Sequence, residues 1–351
     1  SGERKGSLLD TVDYTITGAG ARLLQSYISA PLADIERINN RLTRVECFLS
    51  DLNLRSIIRD FLRGIPDMQR AVSRLNLARG GPKDLAMIRD GLSQSEIIRA
   101  ELQHNNNDAL KAFLTDLQQN PDVAALQDQL RQALEDTPPA LARDGGFIRK
   151  GYSAKLDELS ALRDNSRSTI AALQSKYQEQ TSLTALKIKY NNVLGYFIEV
   201  PAKHGDALMV GAKSKNDDQS QMHSNQFVHR QTMANAVRFT TPELSELERD
   251  ISSAADKIIA IEQDLFNKIV AQTTALSEEI GIIAVAIASI DVATSLAELA
   301  QDMNYTRPII DNSYSFNIEG GRHPVVERVL KKNSEPFVPN DCALNPDQRL
   351  W

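Results

Sequence analysis

Residues 241–265 read TPELSELERDISSAADKIIAIEQDL. Apolar residues recur in this stretch at alternating spacings of three and four, at Leu244, Leu247, Ile251, Ala254, Ile258, Ile261 and Leu265. That spacing predicts a helix with one apolar stripe of the coiled-coil type. Thr240 or Thr241 can cap the start of the helix, with Pro242 near its first position. No proline follows until residue 308, so one helix of about 90 Å is possible unless Gly281 breaks it.

A second stripe precedes this helix and predicts a partner for it. Within residues 151–180 the stripe consists of Leu156, Leu159, Leu162, Ile170, Leu173 and Tyr177. Between the two helices the pattern changes to strict alternation in residues 186–190, and after Asn191-Asn192 a second β-rich run follows at 193–200. Two such runs around an Asn pair predict a hairpin, and AVRFTT at 236–241 predicts a further strand. The helices would pair antiparallel, with a small β module at their far tip.

The remaining stretches predict a helical body and a second β-containing region. Residues 7–145 show helical periodicity, interrupted at Pro31, Asn105–Asn107 and Pro138-Pro139. Together with residues 276–300 they would form the body. The polar stretch 203–226 is predicted to be a loop. From residue 304 a new domain is predicted, in which the Gly320-Gly321 turn precedes a strand at Pro324–Val326.

Composition excludes several classes of protein. The 351 residues carry a formal net charge of −6, which argues against a uniformly basic nucleic-acid binder. Aromatic residues make up only 5%, typical of a helix-rich protein. The two cysteines, Cys47 and Cys342, lie far apart and indicate buried thiols in a reducing cytoplasm. The longest apolar run, at 280–290, is too short for a membrane span and predicts a buried core helix, so no membrane partner is expected.

The predicted β module has a positive charge balance. Residues 187–238 contain seven basic residues against four acids, the basic ones being Lys187, Lys189, Lys203, Lys213, Lys215, Arg230 and Arg238. Gln231, Thr232 and Asn235 add donors that suit phosphate oxygens. One interpretation is a grip on the backbone of a nucleic acid. The other is a solvated β module that needs charge for solubility.

Other candidate groups do not complete a catalytic site. His223 and His229 stand six residues apart without cysteines, a poor match to a metal site. His323 has no accompanying nucleophile motif and is interpreted as structural. Phe337 is predicted on a loop between strands, where it packs or stacks on a base. These residues contain no G-x-x-x-x-G-K-[ST] motif.

Seven stretches in a fixed order carry a resemblance that covers nearly the whole chain. They are TITGAGARLLQSYISAPLADIERINNRL (15–42), RLNLARGGPKDLAMIRDGL (74–92), DGGFIRKGYSAKLDEL (144–159), LKIKYNNVLGYFIEV (186–200), HRQTMANAVRFTTPELSELE (229–248), EGGRHPVVE (319–327) and EPFVPND (335–341). In these seven stretches and in their order, the chain resembles the MutS family of bacterial DNA mismatch-repair proteins.

The resemblance implies a mainly α fold: a helical core, long antiparallel lever helices, a β-rich DNA clamp at their tip, and the start of an α/β ATPase domain. The corresponding division is a first core and lever part at 1–150, the end of a lever helix with the clamp at 151–243, the returning lever and core at 244–303, and the ATPase start at 304–351. The resemblance also implies that the chain starts after the mismatch-reading and connector domains, and stops before the phosphate loop.

Site residues follow from the same resemblance. The DNA-backbone set is Asn235, Gln231, Arg238, Arg230, Lys187 and Lys189, of which Asn235 matches a clamp position; Ala234 departs from a frequent lysine. Phe337 matches the aromatic residue that stacks on the adenine of ATP, with Val338 and Asn340 beside it. The full-length family uses ATP and Mg²⁺, whereas these residues alone are not expected to hold a cofactor or metal or to hydrolyse ATP.

The implied partners are double-stranded DNA, a second copy of the full-length chain and MutL, and the implied location is the bacterial cytoplasm at the nucleoid. Contacts to DNA would be non-specific and would be coupled to the ATPase in the whole protein. The alternative function is a structural coiled-coil arm whose tip docks a protein.

Overall fold

The computed structural model of the chain describes residues 5–105, 107–191, 193–210 and 226–344. The chain divides into two compact units, residues 1–141 with 268–351, and residues 142–267. The fold is mainly helical with a small antiparallel sheet inserted between two long helices, which confirms the predicted fold class.

The elements lie as follows in chain order. The α-helices of the described residues are α1 Leu8–Val12, α2 Gly18–Ser29, α3 Ile35–Ser50, α4 Leu52–Leu62, α5 Met68–Asn76, α6 Pro82–Gln103, α7 Lys111–Asp116, α8 Pro121–Ala133, α9 Ala154–Thr181, α10 Ala202–Val210, α11 Pro242–Ala275, α12 Ser277–Met303 and α13 Pro324–Lys332. The strands are β1 Lys187–Asn191, β2 Gly195–Pro201, β3 Val228–Thr232, β4 Ala236–Thr240, β5 Phe316–Gly321 and β6 Asn340–Leu344.

The first unit is built around α12. This helix is long and apolar enough to cross a membrane, but 72% of its most apolar window is buried inside the protein, as in a core helix. It packs against α2 and α3. The predicted helices between residues 7 and 145 are present. For example, α6 begins at Pro82, and Asp84 Oδ2 in its first turn accepts the Gly81 N–H at 2.9 Å.

Gly281, the position at which one long helix from residue 242 could have ended, does not interrupt it. Gly281 lies inside α12, and the interruption falls at Leu276, between α11 and α12. The hydroxyl of Ser277 donates to the Thr274 carbonyl at 2.6 Å next to this point. Serine and threonine hydroxyls offer the backbone such alternative hydrogen bonds, which favour a helix end. A single glycine does not force a break when its neighbours keep the helical conformation.

The prediction of a strand at Pro324–Val326 was wrong, because these residues begin α13. His323 caps the helix, with its Nδ1 accepting the Val326 N–H at 3.3 Å, and Pro324 occupies the first turn. Capping and the fixed φ of proline therefore outweigh the strand preference of two valines. The strand in this region precedes the helix instead: β5 pairs antiparallel with β6.

In the second unit α9 and the first part of α11 run antiparallel. Near the start of α9, the Gly146 N–H donates to Glu262 Oε2 at 2.8 Å, and near its end Lys176 Nζ lies 2.8 Å from Glu243 Oε2. Helix α9 is about 42 Å long and α11 about 51 Å at 1.5 Å per residue. Among the predicted stripe residues that the structure describes, each is buried or half-buried, so both stripes are confirmed.

The sheet at the end of these helices has the order β1-β2-β4-β3, with every pairing antiparallel. The predicted hairpin is present as β1 and β2, but β2 begins at Gly195. Asn191 Oδ1 accepts the N–H groups of Val193 at 2.9 Å and Leu194 at 2.7 Å, and Gly195 has φ +66°. In the described residues, this turn is supported by the side chain of Asn191 and by a left-handed glycine. Asn192, the other member of the predicted Asn pair, lies outside the described residues.

The loop predicted at 203–226 needs correction in its first part, because Ala202–Val210 form α10. Gly205 lies against Val237 so closely that a Cβ at this position would overlap the valine side chain. Leu208 packs on the core of the unit, so this first part of the stretch forms a helix rather than a loop. Residues 211–225, with Lys213, Lys215 and His223, lie outside the described residues.

One core joins the sheet to the two helices. Its buried members are Leu173, Tyr177, Leu186, Ile198, Val200, Phe227, Val237, Phe239 and Leu244. The Tyr177 hydroxyl hydrogen-bonds Thr241 Oγ1 at 2.7 Å, and burial raises the pKa of Tyr177 to about 12. Thr241 also accepts the Leu244 N–H at 3.0 Å, which confirms its predicted role as the cap of α11. The core orients one face of the sheet inward and leaves the other outward.

Candidate nucleic-acid interface

The outward face of the sheet is determined by alternation along the strands. Ile198 and Val200 of β2 and Val237 and Phe239 of β4 belong to the core. Because successive side chains of a strand point to opposite faces, the residues between them lie on the opposite side of the sheet. We call that side the outer face; it includes Lys187, Lys189, Phe197, Glu199, Gln231 and Arg238.

Four of these residues form a row across all four strands. Lys187 pairs with Glu199, Glu199 with Arg238, and Arg238 with Gln231. Lys189 lies on the same face, opposite Phe197. The structure thus brings four of the six predicted DNA-backbone residues together on one surface.

Hydrogen bonds connect the row. Arg238 Nε lies 3.2 Å from Glu199 Oε2, and its Nη1 donates to Gln231 Oε1 at 3.0 Å. Lys189 Nζ donates to Glu199 Oε1 at 2.6 Å. The hydrogen bond from Lys189 holds the pKa of Glu199 below its usual range, and the bond from Arg238 acts in the same direction. The carboxylate therefore stays ionised at neutral pH.

The guanidinium of Arg238 is further held by an aromatic ring. Its central carbon lies 4.4 Å from the centroid of Phe197, and Phe197 is 3% exposed although it belongs to the outer face. A cation over an aromatic face is attracted by the ring quadrupole. Arg238 therefore covers Phe197 and is restricted in position, whereas Lys187 is exposed and has no ion-pair partner among the residues that the structure describes.

The other two predicted DNA-backbone residues, Arg230 and Asn235, lie at the edge of the sheet formed by β3. The pairing of β3 with β4 shifts between His229 and Gln231, which leaves Arg230 as the extra residue of a bulge. Bulges redirect side chains at sheet edges, and Arg230 is exposed. Asn235 lies in the turn between β3 and β4, where its carbonyl accepts the Ala202 N–H at 3.1 Å. Its side chain is exposed as well.

Sequence reasoning missed Glu199 as a member of this surface. The charge count for residues 187–238 includes Glu199 among four acids but does not assign it to a face of the sheet. The alternation of the β-rich run places Glu199 on the same face as Phe197 and opposite Ile198, so the signal was present once the face of Lys187 and Lys189 was known. Alternation could not show that Lys189 and Arg238 both bond to the Glu199 carboxylate.

The predicted adenine-side residues lie close together in the first unit. Phe337 is half-buried in the connection from α13 to β6, a helix and a strand rather than the two strands predicted. Val338 is 72% exposed. Asn340 begins β6, and its Nδ2 donates to the Val338 carbonyl at 3.3 Å. The three residues thus form a short, mostly exposed segment that contains one half-buried aromatic ring.

The structure also places His323 and the two cysteines, which were interpreted from the sequence as structural residues. His323 caps a helix, a structural role as predicted. Cys47 is buried and Cys342 half-buried, neither in a disulfide, and burial raises the pKa of the Cys47 thiol. Within the described ranges, no cluster of three or more His, Cys, Asp or Glu residues could hold a metal ion.

Comparison with known proteins gives a consistent result. Residues 1–297 match the family model described as MutS domain III. The chain is 46% identical over 348 residues to the DNA mismatch repair protein MutS of Rhodopseudomonas palustris (strain BisB5), covering 98% of this chain and 36% of that protein. It is 48% identical over 351 residues to that of Rhizobium meliloti, covering 99% of this chain and 37% of that protein. The chain thus spans somewhat more than a third of the length of these relatives.

Proposed function

The chain belongs to the MutS family of DNA mismatch repair proteins, and we propose that the outer face of its sheet contacts the phosphate backbone of double-stranded DNA. The observation that supports this most directly is the row from Lys187 to Gln231 across four strands. Three cations and one carboxylate lie on this face, so it is positive although the chain as a whole carries a net charge of −6. Such local positive surfaces account for most non-specific affinity for DNA.

The proposed contact is independent of DNA sequence. Lysine, arginine, glutamine and asparagine side chains all donate to phosphate oxygens, which carry no base information. Reading a base edge in the major groove requires an element that enters the groove, usually a helix or a two-stranded ribbon. The outer face of the sheet would instead lie along the phosphates, with Arg230 and Asn235 extending it at the β3 edge.

A paired substitution tests the contact. Lys187→Gln with Arg230→Gln removes two exposed cations that have no ion-pair partner in the described part of the chain, so little folding stability should be lost. We expect weaker binding to a short duplex, and a salt dependence of log K that is shallower by about 2, because each lost phosphate contact removes about 0.9 from the slope. Fluorescence anisotropy across a salt series measures both quantities.

Lys83→Gln provides the matched control, because Lys83 is an exposed cation of α6 in the other unit. It should leave both the affinity and the slope unchanged. If the paired variant also binds DNA like the wild type, the DNA contact is wrong, and the alternative of an arm that docks a protein is favoured.

For the whole protein we also propose that Phe337, Val338 and Asn340 contribute the adenine side of an ATP site that uses Mg²⁺, and that α9 and α11 couple DNA contact to that site. Supporting this is the half-buried aromatic ring of Phe337 beside an exposed valine. A homodimer, MutL as partner and the bacterial cytoplasm at the nucleoid belong to the same proposal. The unpaired thiols of Cys47 and Cys342 suit a reducing compartment.

A further inference from the structure

Glu199 has an unusual position for an acidic residue on a surface proposed to bind DNA. Its side chain is 19% exposed at the centre of the outer face. One carboxylate oxygen lies 2.6 Å from Lys189 Nζ and the other 3.2 Å from Arg238 Nε. A DNA phosphate has two non-bridging oxygens that would take up these same two donors. The carboxylate therefore occupies the place of the anion that the surface is proposed to bind.

We propose that Glu199 is an internal counter-ion of the outer face, which competes with DNA phosphates for Lys189 and Arg238 and so keeps the affinity of this face low. The role rests on the DNA contact proposed for the sheet, and it deepens that proposal by assigning its regulation to one residue.

The cations of this region fall into two classes under this proposal. Lys187 and Arg230 are exposed and free of carboxylate partners in the described structure, so a phosphate can bind them without displacing a protein group. Lys189 and Arg238 are held, and a phosphate that approaches them must replace Glu199 or lie beside its negative charge. Both courses cost Coulomb energy, and the cost at a surface is moderate because water and salt screen it.

The arrangement also keeps Arg238 in place when Glu199 is changed. The guanidinium lies over Phe197 and donates to Gln231, and neither contact depends on the carboxylate. Glu199→Gln keeps the size of the side chain and an oxygen acceptor while it removes the charge. The substitution therefore releases two positioned cations without dismantling the row.

Titration of a duplex by fluorescence anisotropy at several salt concentrations tests the role. For Glu199→Gln we expect the dissociation constant to fall several-fold at moderate salt, and the slope of log K to steepen by about 1 to 2 as the released cations reach phosphates. Glu246→Gln is the charge-matched control, because Glu246 is an exposed acid on α11 outside the row. It should change the dissociation constant much less.

A second substitution separates the role of Glu199 from a general charge effect. Lys189→Gln should lower DNA affinity less in the wild type, where Glu199 holds the lysine, than in the Glu199→Gln background, where the lysine can reach a phosphate. Equal effects in both backgrounds, or an unchanged or weaker affinity of Glu199→Gln, would overturn the counter-ion role. Failure of the DNA contact itself is recognised separately, since Lys187→Gln with Arg230→Gln would then have no effect.

Discussion

Asp291 and Glu262 are buried carboxylates whose partners are mainly backbone amides. Asp291 accepts the N–H groups of Ile16 at 3.0 Å and Thr17 at 2.7 Å, and so holds the start of α2 against α12. Glu262 accepts from Gly146 and from the two residues that follow it. Burial raises the pKa of the Asp291 carboxyl despite these donors. Each residue thus ties the backbone that precedes one helix to another, long helix of the same unit.

These roles could not be read from the sequence. Asp291 lies in a helix 274 residues from Thr17, and Glu262 lies 116 residues after Gly146. Periodicity describes which face of a helix is apolar, but it has no information about which distant amides a carboxylate on that helix will meet. The sequence motifs around Thr17 and Gly146 were recognised only by resemblance.

Phe337 provides a test at the scale of one residue. If its half-buried ring forms the adenine side of a nucleotide site, adenosine at millimolar concentration should receive magnetisation from this chain in saturation-transfer NMR. Phe337→Ala should abolish most of the transfer to the adenine protons, because ring stacking supplies the contact. Phe316→Ala removes an exposed aromatic of β5 in the same region and should leave it intact. Transfer that survives in Phe337→Ala would refute the assignment.

At the scale of the element, the stripe of α11 decides which residues stabilise the second unit. Ile258 is 7% exposed and Ile259 is 47% exposed, although they are adjacent and of one residue type. Ile258→Ala should lower the free energy of unfolding by about 2–4 kcal/mol, the usual cost of truncating a buried isoleucine. Ile259→Ala is the control, because its helix propensity changes equally.

Urea unfolding followed by circular dichroism measures both variants. Ile259→Ala is expected to stay within about 1 kcal/mol of the wild type, since exposed substitutions have small effects. Equal losses for the two variants would mean that the stripe is not the packed face of the helix.

Two elements were predicted incorrectly for related reasons. Residues 203–210 were predicted as the first part of a longer polar loop, yet Gly205 and Leu208 pack in the second unit and a helix forms. At Pro324–Lys332 the two valines suggested a strand, yet the cap at His323 begins a helix. Short segments have weak local preferences, so a cap or one packing contact is sufficient to decide them.

At the scale of the whole molecule, the proposal implies that this chain does not discriminate between DNA duplexes. A matched duplex and one with a single mispair present the same phosphates to the outer face. Their dissociation constants should therefore agree within about twofold at a given salt concentration. Competition anisotropy with the two duplexes measures the ratio directly. A tenfold preference for the mispair would show that base recognition resides in these residues, contrary to the proposal.

Sequence reasoning was sufficient for the helical character of the chain, the two long stripes, three of the four strands between them and the membership of the MutS family; β3 was not predicted. These features follow from local periodicity and from motifs, which are properties of neighbouring residues. The row of Lys187, Glu199, Arg238 and Gln231, and the contacts of Glu199 with two of the predicted DNA-binding cations, emerge only from the folded chain. The reason is physical: strand register and bulges join residues up to about fifty positions apart, and hydrogen bonds between them depend on that register rather than on any local pattern.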